Sequence, residues 1–184
     1  MSKSLAEQYY LKALDNYPFE LENAMESLEY ALSYDSAHAG ALHTMGCLYM
    51  DVLSDYKTAL KYLKSAFTSN PKSLKIGLDL LFCLTNTRHF EEAQKLVTYL
   101  HSFNREGVGG IYTAEGLLHE YMHDYSKSIA KYKLAKKESY NNSYNSWLDG
   151  ELARVKKKLK KSKTKKKKKE SKKLYSEVTY YFSR

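Results

Sequence analysis

The feature that most constrains the fold is a repetition of residue types every 34 or 35 positions. A small residue recurs at Ala24, Ala59, Ala93 and Ser128. Three positions before each small residue stands an aromatic or aliphatic residue: Leu21, Tyr56, Phe90 and Tyr125. Four positions after it stands another apolar residue: Leu28, Leu63, Val97 and Tyr132. Seven positions after it the apolar residue is mostly alanine: Ala31, Ala66, Leu100 and Ala135. Spacings of three and four place these side chains on one face of a helix. The sequence therefore predicts four copies of one helical unit.

One complete unit runs from Leu42 to Pro71 and shows how the helices pair. Its first half carries Leu42, Met45, Gly46 and Tyr49 at helical spacing, and its second half carries Tyr56, Ala59, Leu63 and Ala66. Gly46 has no side chain, so we expect a partner helix to approach it closely. A single pair cannot bury its own apolar face, which is why stacked copies are needed.

This pattern resembles the tetratricopeptide repeat, a helix–turn–helix unit of about 34 residues. The resemblance covers Leu5 to Tyr140. It implies an all-α fold, a right-handed α-solenoid of about four helix–turn–helix repeats, which we assign to residues 1–140. It also implies a protein that binds other proteins.

The sequence after the repeats predicts a capping helix and a basic tail. Leu148, Leu152, Val155 and Leu159 form one apolar stripe, so we assign residues 141–161 to an amphipathic helix that covers the last repeat. Such a helix could also lie on a membrane surface. Residues 162–184 are rich in lysine and are expected to form a flexible tail.

The charge of the chain is divided unevenly. Arg154 to Lys173 holds 14 basic residues and one acidic residue, whereas residues 1–153 carry a net charge of −4. The run Lys165, Lys166, Lys167, Lys168 and Lys169 could attract nucleic acid or ribosomes without sequence preference. Lysine lacks the planar fork of arginine, so base-specific recognition is not expected. The alternative is a solvated tail that aids solubility.

The stretch from His119 to His123 matches the HExxH pattern of zinc proteases. The extended form of that motif fails, because the chain has no glycine at 126 and no histidine at 129. His119 also occupies the position at which the repeat places Tyr49. We therefore interpret these residues as ordinary repeat residues and predict no metal, no cofactor and no enzymatic activity.

Cysteine use and hydropathy indicate a cytoplasmic protein. Cys47 and Cys83 are the two cysteines of the sequence, and both stand in apolar helical patterns. We expect free thiols in a reducing compartment. No run of about 18 apolar residues predicts a membrane span, and the N-terminal residues lack the pattern of a secretory signal.

Stacked helix pairs curve into a superhelix whose concave side binds partners, and the first helix of each pair lines that side. The predicted groove residues are His43, Cys47, Met50, Leu78, Phe82, Asn86, Leu117, Glu120 and Tyr121. Their mixed apolar and aromatic character suits an amphipathic helix or an extended peptide from another protein. The alternative is that these residues pack against a further helix of the same chain.

Overall fold

The computed structural model describes residues 4–103 and 106–182, and in the last helix it describes side chains up to Lys166 and at Lys168. The helices in this part of the chain are α1 Leu5–Asn16, α2 Leu21–Tyr34, α3 Ala39–Cys47, α4 Tyr56–Ser69, α5 Leu74–Asn86, α6 Phe90–Phe103, α7 Val108–Tyr121, α8 Tyr125–Lys137 and α9 Asn142–Phe182. Each successive pair from α1 to α8 is a helix–turn–helix unit. The predicted all-α solenoid of four repeats is confirmed.

Local sequence explains where several of these helices begin. The side chains of Ser4, Asp55, Ser73 and Asp124 each accept a hydrogen bond from the backbone amide three residues later. Such caps satisfy one of the amides that the first turn of a helix leaves without an internal partner.

The small residues of the repeat lie at the helix contacts. Ala24, Ala59, Ala93 and Ser128 are all fully buried. Gly46 brings α3 close to α4, because a Cβ atom built on it would lie 2.7 Å from Cγ of Leu63. The predicted close approach at Gly46 is therefore present.

A π-helical turn, Leu48–Val52, follows α3 and alters the expected pattern. The amide of Leu53 donates to the carbonyl of Leu48 at 3.2 Å, five residues back. A turn of this kind holds more residues than an α-helical turn, so its side chains leave the 3.6-residue register. Met50 is consequently only 5% exposed and packs in the core with Leu63 and Leu81. Its prediction as a groove residue is wrong.

The helix α9 covers the fourth repeat. Leu148, Leu152 and Val155 are buried against Tyr132 and Ala135 of α8. The helix continues through Lys161 to Phe182, so the expected start of a flexible tail at residue 162 does not coincide with a helix end. The flexibility of residues 162–184 stays a prediction, and residues 183–184 lie outside the described part. None of the helices described here is long and apolar enough to cross a membrane.

Candidate functional site

The predicted groove residues lie on or just after α3, α5 and α7, the first helices of the second, third and fourth repeats. Their exposure divides them into two groups. The accessible group contains Phe82, which is 37% exposed, and five half-buried residues: Cys47, Leu78, Asn86, Leu117 and Tyr121. The buried group contains His43, Met50 and Glu120. The first group is the accessible part of the predicted surface.

Two of the accessible residues form a contact between repeats. The Tyr121 hydroxyl on α7 donates a hydrogen bond to Oδ1 of Asn86 on α5 at 2.8 Å. The Asn86 amide group in turn donates to the backbone carbonyl of Phe82 at 2.9 Å. The bond to Asn86 links the Tyr121 side chain to the third repeat, and Phe82, one helical turn before Asn86, remains partly in solvent.

Glu120 is held inside the protein by α9. It is 4% exposed, accepts hydrogen bonds from both terminal nitrogens of Arg154, and accepts one from Nζ of Lys158 at 2.6 Å. Burial disfavours ionisation of this carboxyl, yet the hydrogen bonds from Arg154 and Lys158 outweigh burial, so the pKa of Glu120 falls below its usual value. Glu120 is therefore wrong as a groove residue. For this residue the alternative holds, because it packs against a further helix of the same chain.

An open pocket of about 370 Å³ lies beside this ion pair. It is lined by Arg88, Leu117, Glu120, Tyr121, His123, Tyr125, Arg154 and Lys158. Its walls thus combine aromatic and aliphatic surface with three cationic side chains. Such a lining suits a partner that presents both apolar and acidic groups.

The residues of the HExxH stretch do not share one helical face. The helix α7 ends at Tyr121, and His123 follows in the left-handed region with φ 62°. Nδ1 of His123 lies 3.0 Å from the Tyr125 hydroxyl, whereas Nε2 of His119 lies 3.9 Å from the Glu115 carboxylate. A zinc protease needs both histidines within one continuous helix. This arrangement is absent from the described residues 119–123.

The structure brings together a histidine, a cysteine and an aspartate that the sequence did not connect. Nε2 of His43 lies 2.7 Å from Oδ2 of Asp79 and 3.4 Å from Sγ of Cys47, and the sulfur lies 3.8 Å from the same carboxylate oxygen. His43 is buried, and its two neighbours are half-buried. We name these residues the His43 cluster. It joins α3 to α5.

The Cys47 thiol is not an activated nucleophile. Burial, followed by the negative charges of Asp79 and Asp51, raises the pKa of this thiol to about 12. A reactive cysteine needs the opposite shift, because only the thiolate attacks. The available signal in the sequence was the spacing of four between His43 and Cys47. Asp79 stands on the next repeat, and its proximity could not be inferred without knowing how the second repeat packs on the third.

The predicted polyanion-binding lysines lie near the end of the described side chains. Lys165, Lys166 and Lys168 are exposed on α9. The side chains of Lys167 and Lys169 lie outside the described residues.

Both cysteines are free thiols, with Cys83 buried and Cys47 half-buried.

No family model matches the chain, and no curated protein matches it. Solved structures do match. MamA from Desulfovibrio magneticus RS-1, from residue 41 to its end, superposes with a TM-score of 0.64 at 13% identity, covering 88% of this chain and 94% of that one. Another MamA crystal structure gives 0.65 at 17% identity, with 91% and 94% covered. TTC0263, a thermophilic TPR protein of Thermus thermophilus, gives 0.63 at 17% identity, with 82% and 80% covered.

Identities this low establish the fold alone. The four helix pairs, the buried small residues at their contacts and these superpositions agree with one another. The chain is a tetratricopeptide-like repeat protein in its fold.

Proposed function

We propose that this chain is a non-enzymatic scaffold that binds a peptide or an amphipathic helix of another protein across α5 and α7. The observation that carries this proposal is the surface formed by Phe82, Asn86 and Tyr121. The 37% exposed Phe82 stands one helical turn before Asn86, and Asn86 fixes Tyr121 by a hydrogen bond between repeats. Aromatic residues that are held rigidly in this way contribute strongly to protein interfaces, since little side-chain entropy is lost on binding.

Leu78 and Leu117 supply aliphatic surface on the same two helices, and Cys47 contributes from α3. The pocket of Arg88, Arg154 and Lys158 lies beside Tyr121. The partner segment therefore carries apolar anchors for the helices and an acidic side chain for the pocket. Because Arg154 and Lys158 already bind Glu120, the acidic group adds orientation and specificity more than affinity.

We assign no catalysis to the chain, because the residues that suggest chemistry are engaged elsewhere. Glu120 binds Arg154, and burial keeps the Cys47 thiol protonated near neutral pH. We place the protein in the cytoplasm, since free thiols fit a reducing compartment.

The test is affinity capture from a lysate of the source cells with nuclease present, comparing wild type with Phe82→Ala. Phe19→Ala is the matched control, because Phe19 is 90% exposed in the turn between α1 and α2, on another part of the surface. A protein captured by wild type should be retained by the control and lost with Phe82→Ala. Loss of an anchor residue costs about 2 kcal/mol of binding free energy or more. Equal capture by the two variants would contradict the groove assignment.

A second candidate function is electrostatic binding of nucleic acid or ribosomes by the basic end of α9. It is favoured by the exposure of Lys165, Lys166 and Lys168 together with the lysines one and two turns before them. Replacing these three lysines by glutamine should lower affinity for a single-stranded RNA and reduce the slope of log affinity against log salt by roughly 2, since each phosphate contact contributes about 0.7. An unchanged slope would exclude these lysines from RNA binding.

A further inference from the structure

The His43 cluster has three potential ligand atoms for a cation at one point. Nε2 of His43, Sγ of Cys47 and Oδ2 of Asp79 all lie within 4.8 Å of one another. His43 and Cys47 project from adjacent turns of α3, and Asp79 faces them from α5. His43 and Asp79 lie within α3 and α5, and Cys47 is the last residue of α3, so all three atoms are positioned by helices of the solenoid.

The three ligand atoms already contact one another through hydrogen bonds. Nε2 of His43 lies 2.7 Å from Oδ2 of Asp79, and the Cys47 thiol can donate to the same carboxylate oxygen at 3.8 Å. A cation between the three atoms would replace these hydrogen bonds with bonds to the unprotonated imidazole nitrogen, the thiolate and the carboxylate.

The distances fit a small tetrahedral ion. Ligand atoms bound to zinc at 2.0–2.3 Å in tetrahedral geometry are separated by about 3.3–3.8 Å. The separations in the cluster are 2.7, 3.4 and 3.8 Å. Only the distance from His43 to Asp79 has to lengthen, and 32% of the Asp79 side chain is exposed.

The donor set selects the kind of metal. One imidazole nitrogen, one sulfur and one carboxylate oxygen form a mixed site of the kind that zinc occupies. Magnesium and calcium prefer oxygen ligands throughout and do not favour a thiolate. Asp51 adds a second carboxylate whose charge acts on Cys47, against the single ammonium group of Lys75. The surroundings therefore carry net negative charge.

We propose that His43, Cys47 and Asp79 bind one Zn²⁺ ion, which links the second repeat to the third and leaves a fourth position for water. The ion takes the thiolate form of Cys47, so its binding releases the thiol proton to solvent. The ion links the two repeats and requires no partner protein. Its presence does not depend on binding at Phe82 and Tyr121, but it engages Cys47, which the proposed partner surface also includes.

Cobalt spectroscopy on the full chain without an affinity tag tests this site. Co²⁺ replaces Zn²⁺ in tetrahedral sites and shows intense visible bands together with a sulfur-to-cobalt charge-transfer band in the near ultraviolet. The metal-free wild type should develop both features with one Co²⁺ per chain, and one equivalent of Zn²⁺ should remove them. Cys47→Ala should lose the charge-transfer band. The matched control Cys83→Ala should keep it, because Cys83 is the other cysteine of the sequence and stands outside the cluster.

A competition titration with a chromophoric chelator gives the affinity. Asp79→Asn should weaken Zn²⁺ binding by about 100-fold, since loss of even an outer-shell partner costs about 10–100-fold. A wild-type spectrum without the charge-transfer band at saturating Co²⁺ would overturn the site whether or not the variants fold. Weak octahedral spectra that persist in Cys47→Ala would have the same meaning, because they would show an ion bound adventitiously at surface side chains.

Discussion

Replacing Gly46 by alanine tests how closely the helices of the second repeat must approach. Gly46 is buried in α3, and an ideal Cβ at this position would lie 2.7 Å from Cγ and 2.9 Å from Cδ2 of Leu63. The backbone nitrogen of Leu63 would lie 3.3 Å away. Cγ is the branch point of a fully buried side chain, so rotation of a terminal methyl group does not relieve the contact. Helices α3 and α4 have to separate.

Two opposing effects set the magnitude. Overpacking of a well-packed core costs about 1–3 kcal/mol. Alanine is favoured over glycine inside a helix by about 1 kcal/mol. The contact involves both a branch point and the backbone, so we expect a cost near the upper end of that range. The net loss in free energy of unfolding is then about 1–2 kcal/mol, and the melting temperature should fall by roughly 2–8 °C.

Gly150→Ala is the matched control. Gly150 lies within α9, and a Cβ built on it meets nothing within 4 Å. This variant gains the helix propensity without the contact, so it should be more stable than wild type by about 1 kcal/mol. Urea unfolding followed by circular dichroism measures both changes. The two variants should differ by about 2–3 kcal/mol.

A double-mutant cycle with Leu63→Ala isolates the contact. Truncation of this buried leucine costs about 2–5 kcal/mol by itself. In that background Gly46→Ala no longer meets Cγ, and it should become neutral or stabilising. If Gly46→Ala stabilised the wild-type chain as much as Gly150→Ala does, close approach at Gly46 would not be a requirement of the fold.

Three other predictions concern α9 and the thiols. Glu120→Gln should destabilise the chain at neutral pH by about 1–3 kcal/mol, because Arg154 loses a buried partner. The folded-state pKa of Glu120 is depressed, so the stability from its ionised form is present above its ordinary pKa of about 4.3 and is lost as pH falls through the folded value. Urea unfolding at neutral and at acidic pH should therefore show the difference between the two proteins shrink in acid. In a Cys47→Ala background, Cys83 should react with iodoacetamide at pH 8.5 roughly 100-fold more slowly than free cysteine, because burial raises the pKa of the Cys83 thiol to about 11. Mass spectrometry measures the rate of this reaction. A rate equal to that of free cysteine would contradict the burial of Cys83. Leu148→Ala should cost about 2–5 kcal/mol in urea unfolding, because Leu148 is fully buried between α9 and α8, and a loss below about 0.5 kcal/mol would show that α9 is not docked.

The sequence by itself determined the helical architecture. The small residues Ala24, Ala59 and Ala93 recur after 35 and 34 positions, and each of them is fully buried. This was predictable because burial at a helix contact depends on the period of 3.6 residues and on side-chain size, which are both local properties. The same reasoning identified Leu148 and Val155 as the buried stripe of α9.

The tertiary structure decided which polar residues meet. Met50 is buried because a π-helical turn breaks the period on which its prediction depended. Glu120 binds Arg154, which is 34 residues later, and His43 meets Asp79, which is 36 residues later. Contacts at such separations follow from how one repeat stacks on the next. A hydrophobic pattern determines which face each helix buries. The relative rotation of neighbouring helices and their shift along the helix axis determine which individual charges pair.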